Sequence, residues 1–329
     1  MVMTMQAANH SSRRLAQRGI ALLVVLGLVI FLSLIALPFS ESQRLSSQMT
    51  ANALMVAKLQ AAADGAVHRM LFELARPRAA DATVALAQWR ANGVTHELSE
   101  NGFQITVSAR NEAAKIDLNF AAEALLKSVF VNAGVPDEDA QNIVAAVKDW
   151  TDADNLKRPN GAEADDYRAA GKKTVPSNDF FIAIEELQNV MGVTPQIFSA
   201  VSPYLTVQSR SAGVDPLTAS SAVLSMVPSI DTLLVQSWVA ERDAALQEGL
   251  PVPPIPFSSP YFATGGNAVR ILAEARSTDG LRATREASVR VNVTTGSVPQ
   301  FYLWQRARDA SKTSAVAASA AQASPVASR

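Results

Sequence analysis

The spacing of apolar positions changes several times along the chain. From 20 to 39 the sequence reads IALLVVLGLVIFLSLIALPF, with no charged residue. As a helix rising about 1.5 Å per residue, this run is roughly 30 Å long, the thickness of a bilayer core. Beyond Pro38, which is expected to kink the helix, the apolar positions become one-sided. Leu45, Met49, Ala53, Val56, Leu59, Ala63, Val67, Met70 and Leu74 recur in steps of three and four. This predicts an amphipathic helix continuing to about residue 75, ended by Arg76-Pro77. A short helix with Val84, Leu86 and Trp89 is expected over 81–92. Strand character follows at 94–98 and 103–109, joined by Glu100-Asn101-Gly102. Asn-Gly tolerates positive φ, so this is an antiparallel hairpin.

From Lys115 to about residue 248 the texture is helical. Strand character returns at 269–276 and 287–293, with Thr278-Asp279-Gly280 as a turn, and Tyr302-Leu303-Trp304 closes the sheet. Between them, Pro251, Pro253, Pro254, Pro256 and Pro260 make a stiff connector. The pattern predicts an α+β chain. A long N-terminal helix, first transmembrane and then amphipathic, precedes an antiparallel sheet that a large inserted all-α domain interrupts. The Ala/Ser-rich stretch 309–329 reads as a disordered tail.

Charge sets the orientation. Arg13, Arg14 and Arg18 precede the apolar run, and Glu41 is the first acid after it. The N-terminus then lies in the cytoplasm and the bulk of the chain outside. Three readings fit such a run: a cleaved secretory signal, an uncleaved signal anchor, or a leader cut on the cytoplasmic side of the helix. The first would have a shorter core.

Composition removes several chemistries. A net charge of −1 argues against a general polyanion binder. With no cysteine there are no disulfides and no zinc–thiolate site. The three histidines, His10, His68 and His96, are far apart in sequence, and no Walker or dinucleotide glycine motif is present.

The inserted region repeats weakly. Lys115-Ile116-Asp117-Leu118-Asn119-Phe120-Ala121 leads into a helix over 122–130, and Gly213-Val214-Asp215-Pro216-Leu217-Thr218-Ala219 into one over 220–227. Short helix, glycine-containing turn, short helix is a helix-hairpin-helix-like pattern. In nucleic-acid binders such hairpins grip phosphate with nearby Lys or Arg. No basic residue lies between Thr174 and Thr206, so nucleic acid is not an expected partner.

The candidate chemistry is an acidic cluster: Asp149, Asp152, Asp154, Glu163, Asp165 and Asp166, with Asn155 and Asn160 among them. Hard divalent cations, Ca²⁺ above all, want six to eight oxygen ligands. Asp152-Ala153-Asp154 after a helix can offer two carboxylates to one centre, Asn160-Gly161-Ala162 can expose carbonyls, and Glu163 can close the site. It is not an EF-hand, because the glycine and glutamate of that loop are missing. The alternative is a solvated acidic loop, partly neutralised by Lys148, Lys157, Arg158 and Arg168. Without a nucleophile or a base of another type, the site reads as structural rather than catalytic.

Two sets of motifs resemble a known family. Arg18-Gly19 followed by Ile20-Ala21-Leu22-Leu23 is similar to prepilin-type leaders. That likeness implies a prepilin peptidase cutting after Gly19 and methylating the amine of Ile20. The position where pilins carry glutamate is Val24 here, a departure shared with K-type minor pseudopilins. The second set lies in the inserted region. It comprises Ile116-Asp117-Leu118-Asn119-Phe120-Ala121, Asp149-Trp150-Thr151-Asp152-Ala153-Asp154, Asn160-Gly161-Ala162-Glu163 with Tyr167, Glu185-Glu186-Leu187 with Gly192-Val193-Thr194, and Pro203-Tyr204-Leu205-Thr206-Val207. These resemble the K subunits of type II secretion systems. Leu217 departs, standing where the second lead-in would carry asparagine.

The resemblance implies a pilin-like domain split by the insertion. The leader would be 1–19, the membrane helix 20–39, the pilin-like parts 40–114 and 261–308, and the inserted helical domain 115–260. It implies a structural role and no enzyme: a minor pseudopilin at the tip of a periplasmic pseudopilus, anchored in the inner membrane, nucleating assembly for export of folded proteins. Its partners would be I-type and J-type minor pseudopilins, the major subunit and prepilin peptidase. It also implies bound Ca²⁺ at the acidic cluster, and no small-molecule substrate. The competing functions are a signal-anchored periplasmic metal-dependent hydrolase and a DNA-uptake pseudopilin.

Overall fold

The structure is a computed structural model that describes residues 12–291 and 298–307. The tail expected over 309–329 and most of the expected leader lie outside the described residues. So do the side chains of 12–20, 34, 36–42 and 82.

The chain divides into two units, 1–58 and 59–329. One helix, α1 (Ser12–Ala75), supplies the first unit and opens the second. Gly19 and Ile20 both lie in its backbone, and the helix runs on past Pro38. In the first unit its described apolar side chains are exposed as far as Leu54, Leu45 at 58% and Met49 at 65% among them, and Met55 and Val56 are half-buried. Among the described residues no helix is long and apolar enough to cross a membrane. The expected span over 20–39 includes positions whose side chains lie outside the description.

In the second unit the stripe read from the sequence turns inward: Leu59, Ala63, Val67 and Met70 are buried. The helix is followed by α2 (Ala82–Ala87), shorter than expected, with Asp81 accepting from the amides of Thr83 and Val84 as its N-cap. Trp89, expected in that helix, instead stacks on His96 with ring centroids 4.2 Å apart.

The hairpin is β1 (Asn92–Glu100) and β2 (Phe103–Asn111), with Asn101 and Gly102 at φ 53° and 80°. These are the positive values that an Asn-Gly turn accommodates at little cost. A short parallel pair follows inside the insertion, β3 (Ile116–Asp117) with β4 (Leu205–Thr206). The sheet resumes with β5 (Ala268–Arg276), β6 (Arg282–Arg290) and β7 (Gln300–Gln305). Its order is β1-β2-β5-β6-β7, antiparallel throughout. The strand expected over 287–293 begins five residues earlier. Full pairing with β5, from Ala268↔Arg290 to Arg276↔Arg282, recruits the polar Arg282-Ala283-Thr284-Arg285-Glu286 that local pattern passed over. Alternate positions of one face are buried, many of them small: Ala109, Ala273, Ala275 and Ala287. On this side α1 reaches the sheet through Asp64, paired with Arg285, and through His68, whose ring lies 5.6 Å from that of Trp304.

The insertion is helical. It contains α3 (Glu123–Asn132), α4 (Asp137–Thr151), α5 (Ala164–Ala169), α6 (Pro195–Val201), α7 (Ser221–Ser225) and α8 (Thr232–Glu248). Its core includes Leu125, Phe130, Val144, Trp150, Tyr167 and Leu224, all within 2% of full burial. The region leaves and rejoins the sheet at one place. Asn111 Nδ2 donates to Gly266 O at 2.9 Å, and the Asp215 amide donates to Ala113 O at 2.8 Å. Buried Glu112 accepts from Thr206 Oγ1 at 2.5 Å and from Arg270 Nε at 2.7 Å, while Arg270 also holds Glu286 at 2.7 Å. Both ends of the insertion are thereby tied to the sheet's central strands.

Candidate functional site

The acidic cluster is built on the C-terminal end of α4 and the segment leading to α5. The apolar stripe of α4 buries Ile143, Val144, Val147 and Trp150. That placement carries Asp149, one residue before Trp150, fully out of solvent. Trp150 is fixed by Phe181, stacked at 5.8 Å, and by the edge of Tyr167 at 5.8 Å. The Tyr167 hydroxyl accepts from the Met191 amide at 2.9 Å, and burial pushes its pKa up to about 12.

Around Asp149 the chain folds tightly. The Arg158 amide donates to both of its carboxylate oxygens at 3.3 Å. At Gly161 an added Cβ would lie 2.0 Å from Asp149 Oδ2, so only glycine admits this approach. The preceding Asn160 sits at φ 65°. The Arg158 Nε lies 3.5 Å from Asp149 Oδ1 and 3.5 Å from Asp152 Oδ2, between the two carboxylates.

The electrostatics are those of acids crowded together away from water. Burial raises the pKa of Asp149, with Asp152 adding to the rise and the Arg158 amide opposing it. Burial likewise raises that of Glu163, reinforced by Asp149, Asp152 and Asp154. Both Glu163 carboxylate oxygens and Asp152 Oδ1 are buried with no hydrogen-bond partner. Unmatched buried acceptors are costly, and this donor chemistry fits a hard cation.

The six acids expected at the site divide. Asp149, Asp152 and Glu163 converge electrostatically, with Asp154 beside them. Asp165 is 97% exposed on its side chain and pairs with Arg168 at 2.6 Å. Asp166 turns to Lys157 at 2.8 Å and accepts from the Glu163 amide at 2.9 Å, stabilising the first turn of α5. The Lys157 bond, then the Glu163 amide, lower its pKa. Among the described residues no three acids stand together in an arrangement that holds a metal ion.

Supporting residues were only partly visible in the sequence. Asn119, read there as part of a lead-in motif, clasps the backbone of Phe181: its Oδ1 accepts from the Phe181 amide at 2.8 Å, and its Nδ2 donates to the carbonyl at 3.1 Å. This holds the ring that stacks on Trp150. Asn178, which the sequence did not single out, donates from Nδ2 to Asp154 O at 3.0 Å and Asn155 Oδ1 at 3.1 Å. It sits at φ 51°, a region that asparagine tolerates, and residue type alone was the signal the sequence offered. The two lead-ins share a turn: Asp117 Oδ1 accepts from Asn119 and Phe120 amides, and Asp215 Oδ1 from that of Leu217. Leu217 lacks the amide with which Asn119 reaches Phe181.

Residues 98–210 match the family model described as type II secretion system (T2SS), protein K. The type II secretion system protein K of Pectobacterium carotovorum subsp. carotovorum is 32% identical over 117 residues, 35% of this chain and 35% of that protein. That alignment spans about a third of the relative's length. A putative type II secretion system protein K of Escherichia coli (strain K12) is 24% identical over 235 residues, 67% of this chain and 69% of the relative. The Dickeya chrysanthemi protein K is 24% identical over 262 residues, 65% and 72% of the two chains. Among solved structures, a chain in the GspK-GspI-GspJ complex from the enterotoxigenic Escherichia coli type 2 secretion system has a TM-score of 0.51 at 15% identity. The likeness covers 80% of this chain and 99% of that one, and it concerns the fold. The family match falls on β2, the junction and the acidic segment, where the motifs lie, and over that stretch the chain is similar to type II secretion system protein K.

Proposed function

We propose that this chain is a minor pseudopilin of a type II secretion system, working as a structural subunit rather than an enzyme. The observation that carries the reading is the helical insertion between β2 and β5, which bears the K-type motifs. The chain sits at the tip of a periplasmic pseudopilus, where the bulk of the insertion blocks a further subunit from stacking above it. Its function is to nucleate assembly for export of folded proteins.

The helix over 20–39 spans the inner membrane with its N-terminus in the cytoplasm. Prepilin peptidase cuts after Gly19 and methylates Ile20. The partners are I-type and J-type minor pseudopilins, the classes named with GspK in the similar crystal structure, and the major subunit. Leu45 and Met49, exposed here, offer the apolar surface for partner helices. The acidic cluster binds a structural Ca²⁺. Asp152 and Glu163, which carry unmatched carboxylate oxygens, would offer it ligands, and a third acid would have to draw in to complete the site. The ion would supply the positive charge that the unmatched oxygens of Glu163 and Asp152 lack.

Mass spectrometry of the N-terminus tests the pilin reading. Protein purified from membranes with active prepilin peptidase should begin at N-methylated Ile20, and Gly19→Val should block the cut. An intact Met1 terminus in such cells would defeat it.

A further inference from the structure

A cleft of about 550 Å³ lies beside α4, between the α3–α4 turn, the 160–162 segment and the turn before α6. This volume is within the range of small-ligand sites. It shares the 160–162 segment with the acidic cluster, and the rest of its lining takes no part in that cluster, the junction or the pseudopilin reading.

Its walls are mostly apolar. Val135, Ile143, Ala146, Met191 and Ile197 contribute to them. Gly192, at φ 84°, has room for no side chain: a Cβ would lie 2.9 Å from Ile143 Cγ1. The turn before α6 therefore presents bare backbone against the α4 wall.

The polar lining is specific. Asn142, Asn160 and Gln196 bring three side-chain amides to the cleft. Asn142 Oδ1 is buried with no hydrogen-bond partner. A primary amide carries both donors and an acceptor, matching the two groups of a peptide unit. Asp139 is the single charged residue in the lining, and among the described residues it forms no ion pair. Its neighbour Asp137, by contrast, holds Lys127 at 2.8 Å.

We propose that this cleft binds an extended peptide segment carrying one apolar side chain beside a basic one. The apolar side chain fills the Ile143–Met191–Ile197 wall. The peptide group meets the side-chain amides, with a donor directed at Asn142 Oδ1. The cation pairs with Asp139 at the rim.

The full chain in detergent micelles, methyl-labelled at Ile δ1 and Met ε, tests this by NMR. The probes are acetyl-Leu-Lys-amide and acetyl-Leu-Glu-amide, without calcium, so the outcome is independent of the cation reading. The lysyl probe should shift the methyls of Ile143, Met191 and Ile197 saturably. The glutamyl probe should bind about fivefold more weakly, the scale of an ion pair at an open rim. Asp139→Asn should erase that preference while leaving the methyl spectrum otherwise native. Gln196→Trp, at an exposed rim position, should fill the cleft and abolish both responses. The proposal falls if no saturable shift reaches these three methyls, if Gln196→Trp leaves the shifts intact, or if the two probes bind the wild type equally.

Discussion

The sheet and the helical insertion are held together by opposite means. Four strands of the sheet, β1, β2, β5 and β6, are nine residues each and paired along their lengths, over a face of small buried side chains. Backbone ladders spread the stability, so no single side chain dominates. The insertion has short helices, from five to seventeen residues. It depends on a few specific fixtures: Trp150 between Phe181 and Tyr167, the Asn119 clasp, and Asp149 packed on Gly161. A region that carries its fold in few residues can be lost while its neighbour survives.

The sharpest way to break this contrast is Trp150→Ala. Removing a buried tryptophan costs about 3–5 kcal/mol. Hydrogen exchange read by mass spectrometry should show α3 and α4 losing protection, with β2 and β5 keeping theirs. Equal loss in both regions would mean they form one cooperative unit.

Calcium sharpens the comparison from the other side. At a hundredfold excess over Kd, an ion bound only by the folded form adds about 2.7 kcal/mol. The melting temperature of the insertion should rise with calcium and fall with chelator. Asp152→Ala with Asp154→Ala should abolish the response without altering sheet protection. Superimposable melting curves in calcium and chelator would reduce the cluster to a solvated acidic loop.

The smallest effect is expected at the junction. Burial raises the Glu112 pKa, but Arg270, Lys115 and the Thr206 hydroxyl outweigh it and hold the carboxyl below its usual 4.5. A depressed acid stabilises the fold above its unfolded pKa, and that contribution fades as pH falls through the lower folded value. Glu112→Gln should therefore cost about 1.5 kcal/mol at pH 7, since Arg270 retains Glu286. Urea titrations should show the gap between mutant and wild type narrowing as pH drops below 4.5. A gap that stays constant down to acid unfolding would assign the effect to packing alone.

Much of this was legible from residue pattern. From Leu59 on, the period-three-and-four stripe located the buried face of α1, and Asn101-Gly102 located the hairpin, because both signals are local. β6 was misplaced because its first half is polar and is a strand only through β5. The two-residue β3–β4 pair was invisible, since its partners lie far apart in sequence. At the site, composition found the acids but not their directions. Asp165 and Asp166 follow α5 outward, while Asp149, set by α4, is covered by the close approach of Gly161. Both depend on how the chain turns after α4.

The junction has a consequence for how the chain reaches its native state. Asn111 faces Val269 across the β2–β5 pair, so the centre of the sheet is topologically a hairpin whose loop is an entire helical region. Closing a flexible loop of that length would carry a large entropic penalty before any ladder bond repaid it. An insertion that folds before the sheet closes changes the problem. Once Asp215 is bonded to Ala113, and Val214 to Tyr261 and Ala263, the two loose ends emerge side by side, and the search for β2–β5 register becomes short-range. The helical region is then an internal template on which the two halves of the sheet are joined.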